Sequence, residues 1–490
     1  MICSVTGVIL LAKLTGFVKQ MLTAGLFGAT LETDLILLSQ TFAGNLQYLF
    51  SQVLLTAFTA TYIHIHEEGG STQRFVSDTL KVFSLIAAAL MGLTMLFSSW
   101  IARIIAPSYS PETTVRLSFY LRLYSPALFL FVWSAVFHAL LNANKQFTQG
   151  EMTTVNQNIL YAILALVLSA HMGANAMVVA FFAYSIWNTV FLGFVSRKYW
   201  RLMVGNPFQN PALRNLLHMV GPLLFGYCMV YVNQQVDKIL VSGLGNGVIT
   251  ALTYGSTLFS LVSTFICSFC SILFAYVTTS ISRGEHQQAA DTAVYSVGIL
   301  VLVFLPVSLL FILCSHDIVS IVFGHGAFHA EAVESASAAL RGYAAAFVPL
   351  VLREVFSRFQ YGYQDSKWPS ISSSIGIAGN IVLSITLCPH WGIFGVALAT
   401  SASVLICGIL NVFFSHHHNS FLHFRPLLQQ LPFLIVGGAV FTVIILWGNH
   451  YWQEKSALLR FFSTAFCAAC GYLLAVSPLL LRLFRRFHVN

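Results

Sequence analysis

Lys13 and Lys19 stand in LAKLTGFVKQ (residues 11–20), inside a stretch otherwise apolar enough to cross a bilayer. An ionised side chain at mid-bilayer costs on the order of 2.5–3.5 kcal/mol on insertion scales. Two in one helix therefore require a compensating setting. A water-filled cavity supplies it and an anionic ligand completes it; the competing reading is that both amines snorkel to an interface. Six residues of ideal helix give about 9 Å of rise and about 600° of rotation, so the two lysines lie about 120° apart. Lys13, Gly16 and Gln20 share one face, with Lys19 to the side. A wide cavity accommodates that arrangement, or Gly16 permits a bend.

The next apolar stretch carries Gln40, Gly44, Gln47 and Ser51 at helical spacing, with Thr41, Asn45 and Gln52 alongside. A polar face on an apolar span suits a helix lining water, or polar contacts between helices. In the second half, Arg353 of VLREVFSR (351–358) is the preferred cation to complement Lys13. Arg353 and Glu354 are adjacent, so they are expected to face apart, with Arg353 pairing a distant acid and Arg358 at the cytoplasmic edge. Asp237 and Lys238 of NQQVDK (233–238) are expected at the outer edge.

Other motifs carry less. Cys267/Cys270 and Cys467/Cys470 have CxxC spacing, but apolar neighbours without His or acid read as helix packing. GLGNG (243–247) follows no strand and lacks the phosphate-binding Lys-Ser/Thr, so it reads as a turn. HHH (416–418) falls at a water boundary and reads as surface. Neither a Ser-His-Asp set nor a carboxylate pair nor an ATP-binding signature is visible, so the expectation is a protein without catalysis, metal or cofactor.

The elements that position these residues follow from composition. Of 490 residues, 57% are hydrophobic and 8% charged, against about 25% charged in ordinary globular chains. Mean hydropathy is +0.79. The solvent for most of this chain is lipid. The formal charge of +8 is scattered over connections rather than gathered in a run, which argues against a nucleic-acid partner. The expected fold is all-α and polytopic, with about fourteen transmembrane helices; the first two are placed at 3–27 and 33–62, and the tenth at 336–363. About twelve Lys/Arg fall in the even-numbered connections and C-terminus and about six in the odd-numbered ones, which places both termini in the cytoplasm.

GLFGATLETDLILLSQTF and GLGNGVITALTYGSTLF resemble each other at an offset of about 218 residues, as do LLNANKQFTQGEMTTVNQNILYAILAL and FQYGYQDSKWPSISSSIGIAGNIVLSI. The repeat predicts two parallel six-helix bundles, 1–200 and 201–415, joined through the basic segment 196–215, and two further helices in 416–490. Parallel repeats are a common transporter plan, with the substrate held between the halves.

LTGFVKQMLTAGLFGATLETDLILLSQTF, GHGAFHAEAVESASAALRGYA (324–344) and YGYQDSKWPSISSSIGIAGNIVLSITLCPHWGIFGVALATSASV (361–404) resemble MurJ/MviN proteins, the bacterial lipid II flippases. The likeness covers nearly the whole chain. It implies functional cations at Lys13 and Lys19 around Gly16 and a functional acid at Asp34. It implies, too, a polyprenyl-diphosphate-linked saccharide as substrate, a multi-pass place in the inner membrane and cell-wall synthesis enzymes as partners. Gln47 and Tyr48 stand where the family often has an arginine pair, and Ser256 and Thr257 where it usually has Asp-Arg. A flippase for another lipid-linked oligosaccharide is therefore the alternative. An ion-coupled multidrug exporter fits less well, since its cavity would want acids rather than lysines, and a scaffold would pair all its buried cations internally. With no ATPase, the driving force is expected from membrane potential or from a Na⁺ or H⁺ gradient.

Overall fold

The computed structural model describes the backbone over residues 2–418, 421–452 and 456–487, and the side chains of most of these. The side chains of Gln234 and His418, named above, lie outside the described residues. The helices are α1 (Ile2–Phe27), α2 (Leu31–Glu67), α3 (Thr72–Ile105), α4 (Pro111–Tyr124), α5 (Ala127–Ala143), α6 (Phe147–Met172), α7 (Ala176–Val195) and α8 (Pro211–Val241). They continue as α9 (Val248–Ser282), α10 (His286–Leu313), α11 (Ser315–Phe323), α12 (Ala330–Ala344), α13 (Phe347–Gly362), α14 (Lys367–His418), α15 (Arg425–Tyr451) and α16 (Ala457–Phe487). Among the described residues there is no strand.

Local sequence sets several starts. Thr30 and Thr33 form a reciprocal capping box on α2, Ser110 caps α4 ahead of Pro111, and Asn210 caps α8 ahead of Pro211. Each satisfies backbone N–H groups that the first turn leaves free. The outward surface is apolar: Leu96 is 78% exposed, Leu474 75% and Ile435 67%. Such a surface is stable only in hydrocarbon. The chain is a multi-pass, all-helical membrane protein.

Among the described residues, nine helical stretches are long and apolar enough to span, or up to eleven if each bent pair is one span. This measure joins two pairs of the expected fourteen, where one span follows another without a polar loop. Phe147–Val195 is a single stretch that holds both α6 and α7, parted only by a 3₁₀ turn at Gly173–Asn175. α14 runs through a break at Gly392, where φ is 55° and ψ −136°.

By packing the chain divides into two units, one of residues up to Thr250 together with Gly326–Phe328, the other of Ala251–His325 and the residues from His329 on. In the first unit α8 packs on α2 and α3. The basic segment expected as the joint is tied along α3: Met203 N donates to Ser77 Oγ (2.8 Å), Lys81 Nζ to Gly205 O (3.2 Å), and Asn210 Nδ2 to Asp78 Oδ2 (3.0 Å). Ala327 N donates to Gly25 O (2.8 Å). Gly326 and Gly28 both have positive φ there, and a Cβ on either would collide with the facing backbone.

In the second unit Ile266, Phe304, Phe347, Phe356 and Phe359 centre the core. α15 and α16 pack on each other and on α10. Tyr472 Oη donates to Leu302 O (2.8 Å), and Arg460 pairs with the buried carboxylate of Asp317.

One local feature recurs in the two units. α4 and α5 meet at a 41° bend, as do α12 and α13. Each bend follows an LRxY sequence, residues 121–124 and 340–343. Each arginine donates to a serine of its own unit: Arg122 Nε to Ser98 Oγ (2.6 Å) and Arg341 Nε to Ser315 Oγ (3.4 Å). A bend frees carbonyls, which hydrocarbon cannot solvate. Ser125 Oγ covers Arg122 O (2.8 Å) at the first. Ser308 Oγ covers Ala344 O (2.8 Å) and Ser401 Oγ covers Gly342 O (2.6 Å) at the second.

Candidate functional site

α1 runs unbroken through Gly16, and this glycine lets α6 come close. Asn158 of α6 donates to Ala12 O at 3.0 Å, and its Nδ2 lies 3.2 Å from where a Gly16 Cβ would stand. Leu11, Leu14 and Val18 are exposed on the far side of α1. At about 100° per residue, Lys13 and Lys19 then fall about 60° to either side of the α6-packed face. Lys19 is half-buried, with Nζ 5.2 Å from the centre of the Tyr161 ring, a cation–π contact that holds the amine without neutralising it. Lys13 is exposed. Among the described residues no carboxylate lies within ion-pair distance of either.

α2 presents the expected polar face. Asn45 and Gln47 are half-buried. Gln40 Oε1 is buried and accepts no hydrogen bond among the described residues. Nothing lies within 4 Å of where a Gly44 Cβ would stand, so the middle of this face borders open space. A cation joins it from α8: Lys238 Nζ donates to Thr41 Oγ1 (2.8 Å). Tyr48 meets Tyr231 of α8 edge to face at 5.5 Å between centroids.

Lys238, in the last turn of α8, is thus tied to α2 and not a free surface cation, and Asp237 beside it is buried, only 8% exposed. The density of polar residues in NQQVDK was the available signal. The rotation of α8, which decides where they point, is set by its packing on α2.

Asp34 is fully buried. Its Oδ2 accepts from Gly247 N (2.7 Å) and its Oδ1 from Thr250 N (2.8 Å) and Thr250 Oγ1 (2.6 Å). Both oxygens are engaged and no surface is left for a substrate. In this structure Asp34 is an anchor for the Gly247–Thr250 turn, in the manner of a helix N-cap.

In the second unit Arg353 pairs with its own neighbour. Nη2 and Nε donate to Glu354 Oε1 at 2.7 and 3.2 Å. Glu354 Oε2 takes Arg358 Nη1, and Arg358 Nη2 reaches Cys267 O (3.3 Å) and Ser271 Oγ (3.2 Å) on α9. The expectation of a distant acid for Arg353 is corrected. Adjacent Cβ atoms do diverge, but the long arginine stem closes the angle. One carboxylate between two guanidinium groups leaves a surplus of one positive charge. Among the described residues no group of three or more His, Cys, Asp or Glu could hold a metal ion.

The family model described as "MurJ: Lipid II flippase MurJ" matches residues 23–466. A protein of Rhizobium tropici named "Probable lipid II flippase MurJ" is 23% identical over 476 residues, covering 92% of this chain and 87% of the relative. A solved "Lipid II flippase MurJ, inward closed conformation" aligns at a TM-score of 0.82 and 21% identity over 99% of both chains. An inward-facing "multidrug resistance MATE family transporter of the MOP superfamily" aligns at 0.71 and 12% identity, over 84% of this chain and 95% of the other. At these identities the two solved structures speak for the fold.

Proposed function

The chain belongs to the lipid II flippase MurJ family, and we propose that it moves lipid II, a polyprenyl-diphosphate-linked saccharide, from the cytoplasmic to the outer leaflet of the bacterial inner membrane. The observation that carries this reading is the pair of lysines flanking the α6-packed face of α1, neither matched by a carboxylate among the described residues. A diphosphate is the chemistry such amines recognise: charge-assisted hydrogen bonds are roughly twice as strong as neutral ones. Lys238, Gln40, Asn45 and Gln47 supply further donors and acceptors for a headgroup too polar to cross lipid unaided. The prenyl tail stays in hydrocarbon throughout. The site opens to alternate sides as one half of the repeat moves against the other.

One elementary charge moved through 100 mV is worth about 2.3 kcal/mol, so membrane potential, or a Na⁺ or H⁺ gradient, is a sufficient drive. Both termini are cytoplasmic on the Lys/Arg distribution, and cell-wall synthesis enzymes supply and consume the substrate.

A second reading, a flippase for another lipid-linked oligosaccharide, is favoured by Gln47, Tyr48, Ser256 and Thr257, where charged pairs were expected. The purified chain in sealed vesicles, given lipid II or a different polyprenyl-linked glycan, separates the two. Lipid II headgroups are expected to reach the opposite face faster than in protein-free vesicles and faster than the other glycan. Transport of the other glycan alone would replace lipid II as the substrate; transport of neither would reject the flippase reading.

A further inference from the structure

The second unit holds a polar cleft of its own, of about 500 Å³, between α9, α13 and α14. One wall is a row of hydroxyls on α9, Ser260, Thr264, Ser268 and Ser271. Each donates its proton back along its own helix: Ser260 to Thr257 O (2.8 Å), Thr264 to Ser260 O (2.7 Å), Ser268 to Thr264 O (2.8 Å) and Ser271 to Cys267 O (2.8 Å). With the protons committed, what the row presents is oxygen lone pairs. Phe265, Phe269, Ile272 and Tyr276, all more than half exposed, lie about a third of a turn away round the same helix. α9 therefore shows two separate surfaces, an apolar one suited to lipid and a polar one that lipid alone does not require. Arg353 lines the same cleft. Its Nε and Nη2 are engaged by Glu354, while Nη1 makes no hydrogen bond among the described residues.

A row of acceptors beside a guanidinium with donors to spare and one surplus positive charge selects a particular ligand. It must bring several O–H or N–H donors and one anionic group. We propose that this cleft reads the saccharide of the transported lipid: sugar hydroxyls and amide N–H groups donate to the α9 oxygens, and an acidic substituent of the glycan accepts from Arg353 Nη1. The assignment rests on the flippase reading and adds a selective surface distinct from the lysines of α1.

Cys267 also lines the cleft and provides a native reporter. The full chain in nanodiscs is treated with a charged, membrane-impermeant methanethiosulfonate, and modification of the Cys267 peptide is quantified by mass spectrometry. The arms are no ligand, a polyprenyl-diphosphate disaccharide, and the same polyprenyl diphosphate without sugar, with binding of each measured on the same sample. Cys267 is expected to react, and to be protected by the disaccharide lipid but not by the sugar-free one. In parallel, S260A/T264V/S268A is expected to bind the disaccharide lipid about 10- to 1,000-fold more weakly, from three lost hydrogen bonds, and the sugar-free lipid unchanged. An unreactive Cys267, equal protection by both lipids, or binding of the disaccharide lipid without protection would overturn the cleft assignment and leave the flippase reading intact. Failure of the unmodified chain to bind either lipid would overturn both.

Discussion

Lys13→Met with Lys19→Met is expected to leave a folded protein in the membrane that no longer supports growth of a flippase-depleted strain. Methionine keeps most of each stem, so packing beside Tyr161 survives while both charges are lost. A hydrogen bond to a charged group contributes about 1.5–3 kcal/mol. Losing two should therefore weaken diphosphate binding by on the order of 10²–10⁴-fold, at 1.4 kcal/mol per decade. Stability should hold or rise, because two cations without carboxylate partners leave an apolar helix. Lys19→Arg retains charge and ring contact and should complement in part. The checks are colony formation, protein level in the membrane fraction and thermal unfolding in detergent. Normal growth with the double variant would reject these lysines as substrate ligands.

The second large effect is expected at Asp34, and it is one of stability. Asp34→Ala removes the acceptor for Gly247 N, Thr250 N and Thr250 Oγ1 at a position with no access to water. A buried donor left without a partner costs about 1–3 kcal/mol, so the two backbone N–H groups alone put the loss at about 2–6 kcal/mol. Asp34→Asn retains one oxygen and should lose roughly half as much. Thermal unfolding should fall in the order wild type, Asn, Ala, with transport falling in step. A substrate ligand would behave differently, losing transport at unchanged stability, and that result would restore the role expected from family resemblance.

Much of the architecture was legible because hydrocarbon permits few solutions. Apolar stretches long enough to span, with polar groups confined to one face, leave little besides a helical bundle. The polar face of α2 was legible for the same reason: Gln40, Gly44 and Gln47 recur at 3–4 residues. Rotation was not legible. Nothing local in NQQVDK says that α8 turns Lys238 toward Thr41. Sequence adjacency suggested that Arg353 and Glu354 diverge, yet a flexible stem brings them to 2.7 Å. Asp34 was visible as an acid at a helix start, but its partners lie more than two hundred residues away, beyond the reach of any spacing rule. The number of spans was obscured where one helix passes into the next at Gly392 or through three residues of 3₁₀ turn.

The serines at the second bend change which substitutions in this chain are mild. Ser401→Ala deletes a single oxygen from an apolar helix and looks harmless on any hydropathy scale. It would also strip the covering group from the carbonyls of Gly342 and Tyr343, which Ser401 reaches at 2.6 and 3.3 Å. At the rim, by contrast, Leu96 is 78% exposed and tolerates any greasy replacement of similar length. Inherited variation in this protein should therefore be weighed by what a side chain shields, since the smallest edit at a buried corner outranks a larger one facing the fatty acyl chains.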